Sequence, residues 1–546
     1  MVLLAAMVLP LWAQQDAFEE FRRQQQAAFN QFRNDKQAEY DKFRREANEA
    51  YADFMRQSWD KFEGKEAIEP VKEEIIPPVV YEAPKIEPQP EVVPQPEEEV
   101  TPEIRPEEKP EVKPEVKPEV KPEVKPEAKP DPKPESKPEV VKPEPKPEPK
   151  PEPLPIKDEV VIVPVPTPAP APLAPVAPKP TAPRKNATIA FYGTLMSVGF
   201  PSPDKFKLKG LSEDNLADGW KVLSGEAYDI AVKNALDLRE QHNLCDWAYM
   251  NMLQAVCEKQ YGKTNEAVLA QAFLMSQSGY RVRLGKSGDK LYMLVASEYD
   301  ILSMSYFVLD GIRFYPINCP VKQLNICQAK FDKEQSLSLI IAKEPGFDQD
   351  NTAPRTLTSK KGLTAKVGVN KNNIDFYNDY PSACINGDSR TRWAAYANVP
   401  LETDIRQTLY PQLKQAISGL SEKDAVGLLL NWVQTAFEYE YDDKVWGGDR
   451  VFFAAETLHY PYCDCEDRSI LFSRLVRDLV GLDVVLLYYP GHLATAVGFN
   501  EDVKGDYVAS KTRRFVVCDP TYIGAPVGRT MPGMNNQEAQ VFVLKR

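Results

Sequence analysis

Long apolar runs are scarce in this 546-residue chain, and the one at its start, Met1 to Ala13, is too short to span a bilayer. A short apolar run that ends in a small residue is typical of a secretory signal. We therefore predict that residues 1–13 are a signal peptide and that no later segment is transmembrane. The mature protein is expected to be extracytoplasmic, in the periplasm or on the surface of a bacterium.

Basic charge is also in short supply. The chain has 67 Lys and Arg against 80 Asp and Glu, a net charge of −13, and no long basic stripe. Because nucleic-acid binding needs a basic surface, we exclude nucleic acid as a partner. The acidic residues Asp442, Asp443 and Asp449 do not follow a calcium-loop pattern. We predict neither a cofactor nor a bound metal.

Proline is abundant instead, with 50 residues gathered mostly in one tract. That tract divides the chain, which is too long for a single core. We predict five segments: a signal peptide (1–13), a helix with an eleven-residue repeat (14–64), a proline-rich tract (65–184), a mixed helix-and-strand accessory domain (185–370) and a C-terminal domain (371–546).

The helical segment repeats its aromatic residues every eleven positions. Two series share this step: Phe18, Phe29, Tyr40, Tyr51 and Phe62, and Phe21, Phe32, Phe43 and Phe54. Eleven residues make three helical turns, so both series fall on one stripe of a long, coiled-coil-like helix. An isolated helix would leave this stripe in water. It therefore needs a partner, which could be a second copy, another protein or a membrane surface.

The tract 65–184 is of low complexity, with Lys-Pro-Glu-Val repeats through 109–129. Proline at this density removes backbone donors and favours polyproline II, so we predict no packed core here. Its simplest role is a disordered, semi-rigid spacer that holds the folded part of the chain away from its anchor.

The accessory segment has the patterns of both helices and strands. We predict helices over 239–260 and 264–278, and strands over 280–284, 290–296, 306–309 and 337–341. Cys245 opens a helix, but no histidine and Asp-Pro pair follow it at a useful spacing. The segment is either a degenerate relative of the C-terminal domain or simply a packing domain.

The C-terminal segment supplies the chemistry. We predict helices over 402–418, from Ser421 to 438 and from Cys465 to 480, and strands over 483–489, 492–499 and 513–519. Cys465 stands at the start of a helix, with Asp464 before it as a cap. The helix dipole and the unpaired N–H groups there favour the thiolate, which is the nucleophilic form.

An imidazole and a carboxylate lie on the predicted strands. His492 follows a Pro490-Gly491 turn, and Asp519 ends a strand just before Pro520. If these strands form a hairpin around the polar loop 500–511, His492 pairs with Asp519 on one face of the sheet. The carboxylate then orients the ring, and the other ring nitrogen activates the thiol.

Three motifs in this order resemble the transglutaminase-like superfamily, in its bacterial cysteine peptidase or amidase form. They are Asp464-Cys-Glu-Asp-Arg468, Tyr489-Pro-Gly-His492 and Cys518-Asp-Pro-Thr-Tyr522. The resemblance covers roughly the last 150 residues. It implies an α+β, papain-like fold with Cys465 as nucleophile, His492 as base and Asp519 as its orienter. Asp467 would have a structural role in the turn of the helix.

The sequence departs from the family at one point, because the residues after His492 are Leu-Ala-Thr rather than an early aromatic residue. The oxyanion donor is also open; the Cys465 N–H, Trp446 and Tyr462 are candidates. We predict an exported cysteine hydrolase or acyltransferase for peptide or amide bonds, tethered by the spacer. Its substrate is a peptide or protein, such as a cell-envelope component. The alternative is an inactive binding or structural module of the envelope.

Two neighbours could be mistaken for these groups. Cys463 lies two residues before Cys465, and His459 is a second imidazole nearby. We favour Cys465 by its spacing to Asp467 and expect His459 on the surface. A zinc site built from Cys463, Cys465, His492, Cys518 and Asp519 is a further alternative, although the Cys-x-Cys pair has no matching second pair.

Overall fold

The computed structural model describes residues 11–60, 159–160, 167–177, 185–320, 323–510 and 513–545. Most of the predicted signal peptide and of the proline-rich tract lies outside the described residues. Across the described ranges, no helix combines the length and the apolar composition needed to cross a membrane.

The α-helices are numbered in chain order. They are α1 Leu11–Asp60, α2 Glu213–Leu223, α3 Asp229–Gln241, α4 Asp246–Tyr261, α5 Asn265–Gln277, α6 Lys371–Asn378, α7 Thr391–Asn398, α8 Thr403–Ile417, α9 Glu422–Ala436, α10 Asp442–Val445, α11 Ala454–His459 and α12 Cys465–Leu479.

The strands are numbered in the same way. They are β1 Glu159–Val160, β2 Lys185–Phe191, β3 Thr194–Phe200, β4 Val282–Ser287, β5 Lys290–Ala296, β6 Asp300–Ile301, β7 Phe307–Leu309, β8 Ile312–Pro316, β9 Asn325–Cys327, β10 Arg355–Thr358, β11 Thr364–Val367, β12 Ala383–Cys384, β13 Glu438–Tyr439, β14 Tyr462–Cys463, β15 Asp483–Tyr489, β16 His492–Gly498, β17 Tyr507–Ala509, β18 Arg514–Cys518 and β19 Gln540–Val543.

The C-terminal half is built on a six-stranded sheet of order β1-β19-β15-β16-β18-β17. Its pairings are antiparallel except for the short parallel contact of β1 with β19. The tight turn between β15 and β16 needs Gly491, whose φ is +79°. Helix α12 packs its apolar face on this hairpin. The predicted α+β class is confirmed at this level.

The accessory half has its own five-stranded antiparallel sheet, of order β7-β8-β5-β4-β9. Helix α5 packs on β4 and β5, and α4 packs on α5. The two halves share one continuous hydrophobic core, and β12 pairs with β6 across the predicted boundary at residue 370. The fold therefore has no break at that position.

Most predicted elements form close to their expected bounds. Ser421 caps α9 as predicted, since its Oγ accepts the N–H of Asp424 at 3.1 Å. Three expectations are wrong. The helix over 239–260 is interrupted at 242–245, the strand over 337–341 is reduced to a single bridge at Leu337, and β17 lies within the predicted loop 500–511.

The second part of α1 is an integral part of the accessory half. Tyr51 stacks between Trp220 and Phe331, with ring centroids 4.4 and 4.5 Å apart. The Asn48 side chain accepts hydrogen bonds from the Trp220 indole and from Gln277, each at 3.0 Å. Arg44 forms a buried ion pair with Asp229 at 2.6 Å. These residues of α1 therefore pack on the accessory half of the same chain. The eleven-residue repeat does not indicate this partner.

Other aromatic residues of the repeat remain exposed, among them Phe21, Phe29, Phe32 and Phe43. For this part of α1, self-association or docking on another protein stays a prediction.

Part of the predicted spacer packs on the folded body, which differs from the expectation. Residues 167–177 lie against the accessory half, where the Leu173 N–H donates to the Gln277 carbonyl at 2.9 Å. The Gln335 side chain donates to the Pro168 carbonyl at 2.8 Å. Proline has no N–H to donate, but its carbonyl oxygen still accepts hydrogen bonds. A proline-rich segment can therefore be held on the folded body through its carbonyl groups.

Candidate active site

Cys465 is the first residue of α12 and is partly exposed. Asp464 occupies the N-cap position, and its N–H donates to the Asp467 carboxylate at 3.2 Å. The other oxygen of Asp467 accepts the N–H of Phe452 at 2.8 Å. Asp467 is fully buried and ties the start of the helix to the preceding loop, which is the structural role expected of it.

His492 and Asp519 meet as the sequence predicts, although not through the predicted pairing. Nε2 of His492 lies 2.9 Å from Oδ2 of Asp519. In the observed register Thr495 pairs with Cys518. Continued along the strands, this register sets Asp519 opposite the second residue after His492 rather than opposite His492 itself. A shift of two residues keeps both side chains on one face of the sheet, and therefore the contact survives.

The Asp519 carboxylate is held on its other side by the backbone. Its Oδ1 accepts the N–H groups of Thr521 and Tyr522 at 2.9 and 3.2 Å. The Asp519 carbonyl accepts the Gln434 side-chain amide at 2.9 Å. Because the carboxylate is fixed and occupies Nε2, Nδ1 is the ring nitrogen left for the thiol.

Cys465 and His492 line one cavity of about 480 Å³. Its walls come from α7 and the loop before it, from α10 and its flanks, from the start of α12 and from the β15–β16 turn. Both predicted reactive side chains thus open onto the same space, while the buried Asp519 lies behind the imidazole.

The thiol does not point its proton at the imidazole in this structure. Cys465 Sγ donates to Oε2 of Glu466 at 2.9 Å. Burial raises the pKa of the Cys465 thiol well above its ordinary value, and the Glu466 and Asp464 carboxyls raise it further. A hydrogen bond from the Leu493 N–H opposes this shift. Burial and the two neighbouring carboxyl groups therefore favour the protonated thiol over the thiolate.

The same cavity holds an acidic cluster. Burial raises the pKa of Asp442 to about 7, and the nearby Glu466 and Asp449 carboxylates add to the shift. The pKa of Asp464 is raised well above its ordinary range by burial and by Glu466. Among the described residues, two groups have potential ligand atoms within 4.8 Å of one another and could hold a metal ion: Asp442, Asp449 and Glu466, and Asp464, Cys465 and Glu466.

The other candidates from the sequence fall outside the cavity. Cys463 is buried, receives the Arg468 Nε–H at 3.4 Å, and has a pKa that burial raises to about 11. His459 belongs to α11 and does not line the cavity, and neither Trp446 nor Tyr462 does so. Cys463 and Cys518 are also absent from the lining, so the proposed zinc ligands are not brought together there.

Several wall residues escaped the sequence analysis. They are Arg390, Arg392, Trp393, Tyr439 and Tyr488. The two arginines and the tryptophan come from α7 and the loop before it, which carry no local motif. Only the long-range packing of α7 on α12 brings them to the thiol.

Comparisons of the chain with protein-family models, with curated proteins and with solved structures found no match.

Proposed function

We propose that the protein is an exported cysteine hydrolase or acyltransferase that acts on peptide or amide bonds through Cys465, His492 and Asp519. The observation that carries the proposal is the 2.9 Å contact of His492 with Asp519 in a cavity that also holds the Cys465 thiol. The order and spacing of the three motifs, which resemble those of the transglutaminase-like superfamily with its papain-like core, add to it.

The geometry suggests general-base activation rather than a preformed ion pair. Asp519 keeps the proton of His492 on Nε2, so Nδ1 takes the thiol proton as the sulfur attacks the substrate carbonyl. The tetrahedral intermediate then collapses, the protonated imidazole gives its proton to the leaving amine, and a thioester forms on Cys465. Water releases the acid, whereas an amine acceptor would give a new amide.

The proposal is tested with p-nitrophenyl acetate, a small activated acyl donor. Attack by the thiol releases p-nitrophenolate and leaves an acetyl group on Cys465, which peptide mass mapping detects. We expect steady turnover by the full chain, none above background for Cys465→Ala, and loss of most turnover for His492→Ala.

Cys463→Ala is the matched control, since that thiol lies outside the cavity. Acetylation of another residue, or equal turnover in the Cys465→Ala variant, would refute the proposal. Faster p-nitrophenolate release on addition of a primary amine, with the amide as product, would identify acyl transfer rather than hydrolysis.

One observation favours the alternative, an inactive binding or structural module. The thiol donates to Glu466 and its pKa is raised, whereas an activated cysteine has a lowered pKa. Under this alternative the cavity binds its ligand without forming a thioester. The acetylation experiment separates the two, because a binding module leaves Cys465 unacetylated.

A further inference from the structure

The backbone around Asp519 determines where its carboxylate points. Residues 519–525, here called the acid loop, follow the end of β18 at Cys518 as a series of bends and turns. Within the acid loop, the Thr521 and Tyr522 N–H groups donate to Oδ1 of Asp519. The direction of the carboxylate therefore depends on the shape of the acid loop.

The Gln434 side chain, from the last turn of α9, makes four hydrogen bonds to the backbone of the acid loop. Its Nε2 donates to the Asp519 carbonyl at 2.9 Å. The same nitrogen donates to the carbonyls of Tyr522 and Ala525 at 2.8 and 3.1 Å. Its Oε1 accepts the Gly524 N–H at 3.3 Å. One amide group thus contacts the acid loop from its first residue to its last.

These hydrogen bonds are shielded from water. Gln434 and Asp519 are each 1% exposed. A buried carbonyl that loses its donor is costly to leave unpaired, so the acid loop is expected to change shape when the amide is removed. Such a change would move the two N–H groups that hold the Asp519 carboxylate.

The same glutamine is linked to the helix that carries the thiol. Gln434 lies at the C-terminal end of α9, where the backbone carbonyls have no partner within the helix. Its carbonyl accepts Nη1 of Arg468 at 3.2 Å, and Nη2 of Arg468 donates to the Phe437 carbonyl at 2.8 Å. Arg468 is fully buried and lies three residues after Cys465 in α12. The start of α12, the end of α9 and the acid loop are thus joined at Gln434.

We propose that Gln434 is a positioning residue for the proposed reaction. It holds the acid loop in the shape that directs the Asp519 carboxylate at His492. Through Arg468, it also fixes the acid loop relative to Cys465. Gln434 does not line the cavity, so it acts through Asp519 and not on the substrate. The inference rests on the proposed function, in which Asp519 orients the base.

The test compares two buried glutamines in the full chain. Gln434→Met removes the amide and keeps a side chain of similar length. Gln260→Met is the matched control, because Gln260 is 7% exposed and its Nε2 donates to the Pro201 carbonyl at 2.9 Å in the accessory half. We expect kcat/KM for p-nitrophenyl acetate to fall roughly 30- to 100-fold in Gln434→Met and to stay within about twofold in Gln260→Met.

A double-mutant cycle shows whether this effect passes through Asp519. If Gln434 acts by orienting that carboxylate, Gln434→Met should lower kcat/KM by less than about threefold once Asp519→Asn is present. Rates are measured against Cys465→Ala as the blank. Losses that multiply across the two positions would give Gln434 a role in general stability only and would overturn the proposal. A kcat/KM of Gln434→Met equal to that of Gln260→Met would overturn it as well.

Urea denaturation identifies any variant that is not folded under the assay conditions. If Gln434→Met is not folded, Gln434→Asn takes its place, because it keeps the amide on a side chain one methylene shorter. We expect a smaller loss of kcat/KM from Gln434→Asn, again only while Asp519 is present; an equal loss in the Asp519→Asn background would refute the role. Absence of turnover by the native chain would refute the proposed function and this role together, whereas native turnover that the Gln434 variants retain would refute this role alone.

Discussion

The two halves of the folded body carry sheets of the same design. In chain order, β4, β5, β7, β8 and β9 of the accessory half occupy the places that β15, β16, β17, β18 and β19 occupy in the C-terminal half. Each sheet follows a helix that packs on its first hairpin, α5 in one case and α12 in the other. The accessory half therefore repeats the C-terminal architecture.

The reactive positions can be matched through this correspondence. Cys465 opens α12, and Asn265 opens α5; His492 opens β16, and Lys290 opens β5. Extending the pairings Thr495–Cys518 and Leu294–Pro316 along the strands sets Asp519 opposite the second residue after His492 and Asn318 opposite the second residue after Lys290. Asn318 itself lies in the turn after β8, with a φ of +52°. A cavity of about 410 Å³ lies at Asn265, Lys290 and Asn318, as the larger one lies at Cys465.

Even a local hydrogen bond is repeated. The Leu291 N–H donates to Oδ1 of Asn265 at 2.9 Å, and in the C-terminal half a hydrogen bond from the Leu493 N–H lowers the pKa of the Cys465 thiol. In both halves the start of a helix faces the start of a strand. The chemistry that is possible there depends on the three side chains at these matched positions. Both alternatives for the accessory segment stay predictions; the shared strand order matches Asn265, and not Cys245, to Cys465.

The largest effect should come from exchanging the acid and the amide at the matched positions of the two halves, Asp519 and Asn318. Asp519→Asn would place an amide N–H against Nε2 of His492, which moves the ring proton to Nδ1 and removes the base. We expect turnover of p-nitrophenyl acetate to fall on the order of 10³-fold. Asn318→Asp, at the matching position, should leave turnover unchanged. Comparable losses from both exchanges would refute the assignment of the base to one half.

A second difference between the halves is that the described part of α1 packs on α2 and β9 of the accessory half. Tyr51→Ala would remove a fully packed ring between Trp220 and Phe331, and we expect the free energy of unfolding to drop by about 3–5 kcal/mol. Phe54→Ala, on the exposed side of the same helix, should change it by no more than about 0.5 kcal/mol. Urea denaturation followed by tryptophan fluorescence checks both; a Tyr51→Ala midpoint equal to that of Phe54→Ala would mean that α1 does not support the body.

A further prediction concerns a thiol placed at the start of α5, the position that matches Cys465 in the accessory half. In the Cys465→Ala background, Asn265→Cys places a thiol beside Lys290 in the second cavity, without a counterpart of the Asp464 carboxyl at residue 264. We expect it to react with iodoacetamide at pH 8 about tenfold faster than Cys465 does in the native chain, because a nearby cation favours the thiolate. Lys290→Gln added to that variant should slow the reaction. Peptide mapping measures both rates, and an unreactive residue 265 would contradict the match of the two cavities.

The smallest effect concerns the carboxyl group next to the nucleophile. Glu466→Gln removes one of the charges that raise the thiol pKa, so the rate of Cys465 labelling by iodoacetamide at pH 8 should rise several-fold. The matched change Glu266→Gln in the accessory half should have no effect on Cys465. A slower reaction after Glu466→Gln would show that the carboxylate assists the thiol.

The predictable part of the site was the part encoded by local sequence. A helix start, a Pro-Gly turn and a strand that ends before proline placed Cys465, His492 and Asp519 on their elements, and period-two alternation kept the imidazole and carboxylate on one face. The predicted pairing is wrong because residues 500–511 are not a simple hairpin loop. They contain β17, which pairs with β18. The acidic cluster, Arg392 and Trp393 depend on how α7 and α10 pack on α12, and no local pattern specifies that packing.

The accessory half was harder to predict for a similar reason. Its β4–β5 hairpin was found from alternation, but the relation of its sheet to the C-terminal one lies in strand order, which residue patterns do not carry. The burial of Tyr51 was also missed, because a helical stripe shows that a partner is needed and not which surface provides it.

The contact of β1 with β19, small as it is, changes the topology of the whole chain. Asp60 ends a helix that is packed on the body, and Glu159 begins a strand that is paired with the body's sheet. Both described ends of the intervening segment are therefore attached to one body, and loss of the β1–β19 pairing would leave α1 as the attachment on its N-terminal side.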